Sequence, residues 1–205
     1  MTSSDPRTQS APAGRPSAVA ELRRVALEQF ATVGFVGTSL QQIADAAGYS
    51  KSSVLYHFAS KEALLEAAIS PAIDRLEQLI DTVGSIRSSA DARREFIESF
   101  IDFLLSYRLE VHTFINQGQS LAGIAAIDRA NASVAALADK FATDLTSPEH
   151  KIRFGIALGG AAYTLVGAMN FTGDRRLPPV DELRTALIAV VSELLAPLDL
   201  GPQSR

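Results

Sequence analysis

The sequence contains no cysteine, which removes a whole group of chemistries from consideration. Without thiols there are no disulfides, no thiolate metal sites and no cysteine nucleophiles, and a reducing cytoplasm is compatible with the chain. An excess of positive charge is also missing, because 19 basic residues face 23 acidic ones and the net charge is -4. A general cationic coat for nucleic acid is therefore excluded, and any contact with DNA must come from a few well-placed residues.

Long apolar runs are scarce as well. Residues 1–16 are rich in Ser, Pro and Gly and lack the apolar core of an export signal, so we expect a disordered arm on a cytoplasmic protein. The longest candidate span is the stretch FGIALGGAAYTLVGAMNF, Phe154 to Phe171, which has 18 uncharged residues. Four glycines dilute it and it lacks aromatic and basic flanks, so we predict a buried or interface helix and no membrane partner.

Catalytic signatures are equally absent. The three histidines, His57, His112 and His150, belong to no HExxH motif, and the sequence has neither a P-loop nor a GxGxxG fingerprint. We predict no cofactor, no metal site and no catalytic residue. An enzyme that uses scattered carboxylates stays open as an alternative, although no residue nominates it.

Apolar residues recur at helical spacing along the whole chain after the arm, and nothing alternates with period two. The pattern predicts an all-α protein: an N-terminal three-helix unit (17–64) and a larger helical portion (65–205). A fourth helix at about 61–83, interrupted by Pro71, links the two, and Pro71 should kink it. Further helices are predicted at 91–107, 111–121, 124–144, 148–171 and 181–196.

The first three predicted helices are short and closely spaced. Thr38 or Ser39 caps the second helix, with Gln41 or Gln42 three residues on, and Gly48 ends it. Ser50 then caps a third helix, in the stretch SKSSVLYHF, and places Val54 and Phe58 four residues apart on its inner side. A glycine turn between two short helices is the outline of a helix-turn-helix.

Residues 21–69, ELRRVALEQFATVGFVGTSLQQIADAAGYSKSSVLYHFASKEALLEAAI, resemble the N-terminal DNA-binding segment of TetR-family transcriptional regulators in the order and spacing of their elements. The resemblance covers about fifty residues. It implies a regulator, most simply a repressor, that binds a palindromic operator in double-stranded DNA as a homodimer and is released by a small-molecule effector. The remainder of the chain matches only in being helical.

A recognition helix needs small or polar residues at its tip to reach base edges, and flanking donors that grip phosphates. The predicted DNA-binding residues have these properties: Thr38, Ser39, Ser50, Lys51, Ser52, Ser53, Leu55, Tyr56, His57 and Lys61. Leu55 stands where the family commonly has an aromatic residue, and Ser52 where it often has glycine, so the base preference should differ. Singly, each residue is better explained as a solvated cap or a cover over a small core; the ordered set favours DNA contact.

The resemblance also implies that the last two helices form the dimer interface and that the C-terminal helices enclose an effector pocket. Gly155, Gly159 and Gly160 would allow the subunits' backbones to approach closely. An apolar cavity with a few polar anchors suits a largely apolar effector. The pocket candidates are aromatic or polar residues on apolar helix faces: Phe100, Phe103, Tyr107, His112, Asn116, Gln117, Tyr163 and Asn170. Aromatic stripes are more often core than pocket.

Two functions compete with the regulator: a helical ligand-binding or interaction protein that has lost DNA binding, and the enzyme mentioned above. Salt-dependent binding to a palindromic duplex separates the regulator from both.

For the regulator, we expect the fourth helix to transmit the effector signal, because it belongs to both portions of the chain. A pivot at Pro71 is a hypothesis that Pro71→Ala tests: operator release unchanged by this substitution would contradict it.

Overall fold

The computed structural model describes residues 17–86, 90–142, 147–171 and 178–196, and the side chains of 83–86, 90, 141–142 and 168–171 are not discussed. The predicted arm at 1–16 lies outside these residues. The described chain is helical without strands, as predicted. Its helices are α1 Ala18–Thr32, α2 Leu40–Ala47, α3 Lys51–His57, α4 Lys61–Ile86, α5 Ala90–Ser106, α6 Arg108–Gln117, a 3-10 turn Gly118–Leu121, α7 Ala125–Ala142, α8 Pro148–Phe171 and α9 Val180–Leu195.

Side-chain caps fix where the short N-terminal helices begin. Ser39 is the cap of α2: its hydroxyl accepts from the Gln42 amide, and the Gln42 side chain accepts from the Ser39 amide. Of the two pairs that the sequence allowed, Ser39 with Gln42 is therefore the capping box. Ser50 caps α3 through the amide of Ser53, as predicted.

Two apolar cores share α4. The first joins α1, α2 and α3 to the N-terminal half of α4 and includes Leu121, Ala126 and Ile127 from farther along the chain. The second joins the C-terminal half of α4 to α5, α8 and α9. Helix α4 continues through Pro71, so a single element contributes to both cores.

The C-terminal helices pack around α5. A ladder of aromatic rings, Phe96, Phe100, Phe103 and Tyr107, runs along α5 with centroids 6.1, 6.3 and 5.5 Å apart. Arg184 on α9 donates two hydrogen bonds, of 2.5 and 2.9 Å, to the Asp102 carboxylate on α5 and so lowers the pKa of that carboxyl. This pair fixes α9 along α5.

Within the described ranges, no single helix is long and apolar enough to cross a membrane. Only the segments Arg108–Leu121 and Ala125–Lys140, bent by 111°, pass the test of length and composition as a pair. The glycine-containing α8, the candidate span of the sequence, fails it.

Candidate DNA-binding surface and effector cavity

The turn between α2 and α3 depends on Gly48. Its φ of 74° lies in the left-handed region, where residues with a side chain are strained. The amide of Tyr49 donates to the Ala44 carbonyl at 2.9 Å and closes the end of α2. Reversal of the chain at this point brings α3 against α2, the arrangement of a helix-turn-helix.

Helix α3 has one buried and one exposed side. Val54 and Phe58 are buried and anchor the helix to the first core. The opposite side is exposed and carries the residues predicted to meet DNA: Ser50, Lys51, Ser52, Leu55, Tyr56 and His57, with Ser53 half-buried. Tyr56 is 85% exposed, so it does not cover a core, and Leu55 is 44% exposed.

Three serine hydroxyls form a compact polar group at the tip of α3. The Ser50 hydroxyl lies 2.9 Å from those of Ser52 and Ser53. Tyr56 and His57 follow on the exposed side, with their rings 5.1 Å apart edge to face. The tip therefore offers small hydrogen-bonding groups, and the remainder of the helix offers longer side chains that reach outward.

Thr38 and Lys61, predicted as DNA contacts, are used inside the protein. Thr38 is buried, and its hydroxyl donates to the Gly34 carbonyl at 2.7 Å. The Lys61 ammonium donates to the carbonyls of Phe35 and Thr38 at 2.6 and 2.7 Å and lies 4.3 Å from the centre of the Phe35 ring. The loop between α1 and α2 uses both polar groups, which corrects the role expected for these two residues. Ser39 is exposed beside them.

A second residue from far along the chain holds the same loop. The Gln117 side chain at the end of α6 accepts from the Phe35 amide and donates to the Phe30 carbonyl, each at 2.6 Å. Gln117 was predicted to line the effector pocket. It instead bridges α6 to the end of α1: it supplies an acceptor to the Phe35 amide and adds a donor to the Phe30 carbonyl, which also accepts from the Gly34 amide.

The helical portion contains an apolar cavity of about 410 Å³ between α4, α5, α6, α7 and α8. A volume of this size is within the range of small-molecule sites. Its wall is almost wholly aliphatic and aromatic: α4 contributes Ile69, Ile73 and Leu76, and α6 contributes Val111, Phe114 and Ile115.

The predicted pocket residues other than Gln117 divide into four groups. Phe100, Phe103 and Tyr163 line the cavity, and Tyr163 is 58% exposed at its edge. Tyr107 faces a different cleft, described below. His112 is buried but is not part of the cavity wall, and Asn116 is exposed and donates to the His112 carbonyl. Asn170 lies outside the residues whose side chains are described.

Sequence reasoning missed Glu110, an acidic residue in the cavity wall. Burial raises the pKa of its carboxyl, and the residue's own backbone amide and the charge of Arg23 partly offset that effect. The sequence held a sign of this position, because Glu110 and Phe114 are four residues apart and therefore share one face of α6.

Glu110 also borders a second cleft, of about 460 Å³, between α1, α4 and the junction of α5 and α6. This cleft is lined by Arg23 and Arg24 from α1, Pro71 from α4, and Tyr107 and Arg108 at the junction, so several of its residues are basic. Glu110 therefore separates an apolar cavity from a basic cleft that reaches the N-terminal helices.

The outer sides of α8 and α9 expose apolar and small residues. On α8, Ile152, Gly155, Ile156, Gly159 and Tyr163 follow one another at helical spacing, and all are exposed. A Cβ added at Gly155 or Gly159 would meet no atom within 4 Å. On α9 the exposed side carries Thr185, Ala186, Ala189 and Val190.

Residues 22–68 match the family model described as bacterial regulatory proteins, tetR family. Over 49 residues the chain is 51% identical to the HTH-type transcriptional regulator RutR of Escherichia coli K12, which covers 24% of this chain and 23% of RutR. Over 84 residues it is 37% identical to the HTH-type transcriptional repressor KstR2 of Mycolicibacterium smegmatis, covering 39% of this chain and 40% of that one. The alignments thus span less than half the length of these curated relatives.

Solved structures extend the similarity of fold to the C-terminal helices. A TetR-family regulator from Bordetella parapertussis superposes with a TM-score of 0.66 at 18% identity, covering 88% of this chain and 95% of that one. KstR2 of Mycobacterium tuberculosis gives a TM-score of 0.63 at 17% identity, covering 87% and 94%. At these identities the likeness concerns the fold alone.

Proposed function

We propose that this chain, which belongs to the TetR family of bacterial regulatory proteins, is a sequence-specific DNA-binding repressor that binds a palindromic operator as a homodimer. Regulators of this family are not enzymes. We further propose a DNA-binding portion at 17–64, an effector-binding and dimerisation portion at 65–205, and a cytoplasmic location.

The exposed side of α3 is the observation that carries the proposal. Ser50, Ser52 and Ser53 place short hydroxyls at the tip of the helix, where it can enter the major groove, and Leu55 offers an apolar contact of the kind that thymine methyl groups accept. Lys51, Tyr56 and His57 extend from the same helix toward the sugar-phosphate backbone. Ser39, exposed at the start of α2, is placed for a further phosphate contact.

We infer a dimer from the length of DNA that a specific regulator must recognise. One short helix contacts only a few base pairs, whereas two related by a two-fold axis, about 34–36 Å apart, read successive major grooves. The exposed apolar and small residues of α8 and α9 are the surface that we assign to this pairing, since such a patch is costly to leave in water.

Release by an effector is supported by the cavity. It lies against α4 and α6, and both helices reach the N-terminal core, α4 directly and α6 through Gln117. A molecule that binds one arrangement of these helices more tightly than another shifts the spacing of the two α3 helices. We infer that the effector is largely apolar.

The test is selection of bound fragments from the source genome, followed by titration of the selected duplex. Lys51→Ala should weaken binding about tenfold for every sequence and reduce the salt slope by about 1, because one phosphate contact is lost. Ser52→Ala should instead change which bases are preferred.

Arg94→Ala is the control, because Arg94 is an exposed cation near the start of α5, outside α3, α8 and α9, and the substitution removes the same charge. It should leave affinity and salt slope unchanged. Failure of the full-length protein to bind any duplex at low ionic strength would contradict the proposal and favour a helical ligand-binding protein.

A further inference from the structure

One residue of the loop between α1 and α2 is held by two different helices at once. The Phe35 amide donates to the Gln117 side chain on α6, and the Phe35 carbonyl accepts from the Lys61 ammonium on α4, each at 2.6 Å. Gln117 also donates to the Phe30 carbonyl at the end of α1, again at 2.6 Å. Phe35 therefore joins α4 to α6 through its own peptide groups.

The same two helices form part of the wall of the apolar cavity. Helix α4 contributes Ile69 and Ile73, and α6 contributes Phe114, which lies about one turn before Gln117. Ile69 and Ile73 are also buried members of the first core, and Phe114 packs against that core. A molecule in the cavity thus contacts side chains that belong equally to the N-terminal core.

Hydrogen bonds and apolar contacts respond differently to a small movement of these helices. Apolar side chains stay in contact when they slide, whereas a hydrogen bond of 2.6 Å that lengthens by about 1 Å is lost. An occupant that widens the space between α4 and α6 carries Gln117 away from Lys61, and Phe35 then cannot keep both partners. The loop leads directly to Ser39, the cap of α2, so the first elements affected are those of the helix-turn-helix.

We propose that Phe35 is the junction through which occupancy of the cavity reaches the DNA-binding surface. An occupant separates α6 from α4, Gln117 loses the Phe35 amide, and the loop before α2 is released. Gln117 is the positioning residue of this response. The inference rests on the proposed function, because it describes how the effector cavity regulates the proposed DNA-binding surface.

The experiment places an occupant in the cavity without requiring the natural effector. The sequence has no cysteine, so Ala162→Cys in the cavity wall creates a single attachment point. Methyl methanethiosulfonate and decyl methanethiosulfonate attach a short or a long alkyl chain there through a disulfide. The decyl chain fills much of the cavity of about 410 Å³, and the methyl group leaves most of it empty. Intact mass verifies the labelling, and circular dichroism verifies the fold.

The first readout is backbone amide hydrogen exchange by NMR, without DNA. The decyl label should speed exchange of the Phe35 amide at least about tenfold over the methyl label, because the acceptor on Gln117 is withdrawn. The Tyr49 amide, bonded to the Ala44 carbonyl at the other end of α2, is the internal control and should exchange equally in both. The same two labels on Ala132→Cys, on the exposed side of α7, should give equal exchange at Phe35.

The second readout is affinity for the selected operator. In Ala162→Cys, the decyl label should lower this affinity at least about tenfold relative to the methyl label. Adding Gln117→Leu should itself weaken binding and reduce the further effect of the decyl label to within about twofold, because the junction is already broken. A residue that only stabilised the fold would leave the decyl effect at full size.

Two variants sharpen this comparison. Gln117→Glu keeps an acceptor for the Phe35 amide and should keep the response of about tenfold. Gln119→Leu changes an exposed glutamine nearby and should keep it as well.

Either of two results would overturn the inference: equal Phe35 exchange in the folded methyl-labelled and decyl-labelled proteins, or an undiminished decyl effect in Gln117→Leu. A protein that binds no duplex at low ionic strength but shows the Phe35 response would contradict the proposed function alone. Operator binding that the decyl label weakens without any change at Phe35 would contradict this inference alone.

Discussion

At the scale of single residues, two side chains from different helices, Lys61 on α4 and Gln117 on α6, hold the loop between α1 and α2. Lys61 binds the carbonyls of Phe35 and Thr38, and Gln117 binds the Phe35 amide and the Phe30 carbonyl. Their head groups give additional partners to backbone groups where α1 ends and the loop begins. The loop precedes α2, so these two residues help to fix where the DNA-binding surface begins.

Gln117→Leu keeps the approximate size of the side chain but leaves the Phe35 amide and the Phe30 carbonyl with one partner fewer. We expect a loss of about 1–3 kcal/mol in the free energy of unfolding, measured by urea denaturation. The exposed Gln119 is the control, and Gln119→Leu should change stability by less than about 0.5 kcal/mol. Equal stability of the two variants would show that the bridge is not formed.

These contacts explain why some predicted site residues share one exposed surface while others are used inside the protein. The α3 surface could be derived from sequence because caps, the glycine turn and the inward pair Val54 and Phe58 are all local signals. The partners of Gln117 lie 82 and 87 positions away, and no local pattern reports them. Lys61 looks like a surface polar residue in sequence for the same reason, because its partners lie 23 and 26 positions away.

At the scale of elements, helical periodicity and caps predicted each helix with ends within a few residues. The single break that was missed is between α6 and the 3-10 turn, which one predicted helix at 111–121 had covered. Cavities are harder to predict, because their walls combine residues from five helices whose relative rotation is set by packing. The aromatic spacing on α5 indicated Phe100 and Phe103, whereas no pattern in the sequence indicated the cavity residues on α4, α6 and α7.

The α2–α3 turn gives a prediction at this scale. Gly48→Ala should destabilise the protein by about 1 kcal/mol, because a Cβ would meet no atom within 4 Å and the cost arises only from the backbone at φ 74°. Gly118→Ala is the matched control: this glycine has an ordinary φ of -51°, so the substitution should be neutral or slightly stabilising. Thermal unfolding of both variants measures the difference, and a neutral Gly48→Ala would contradict the strain argument.

At the scale of the whole molecule, the pairing surface proposed on α8 and α9 can be tested directly. Gly155→Leu adds a side chain where the subunit itself offers no obstacle, and leucine favours a helix over glycine by about 1 kcal/mol. The subunit should therefore stay folded, while the dimer dissociation constant in analytical ultracentrifugation should rise at least about tenfold. Ala132→Leu on the exposed side of α7 is the control and should leave association unchanged. A wild-type monomer at all concentrations would exclude this surface.

Gly159 and Tyr163 belong both to the cavity wall and to the outward stripe of α8. Under the proposed function, occupancy and self-association draw on the same two residues, so we expect them to be linked equilibria governed by mass action. The apparent affinity for a small molecule should vary with protein concentration, and a cell could change the threshold of the response simply by changing how much of this protein it makes.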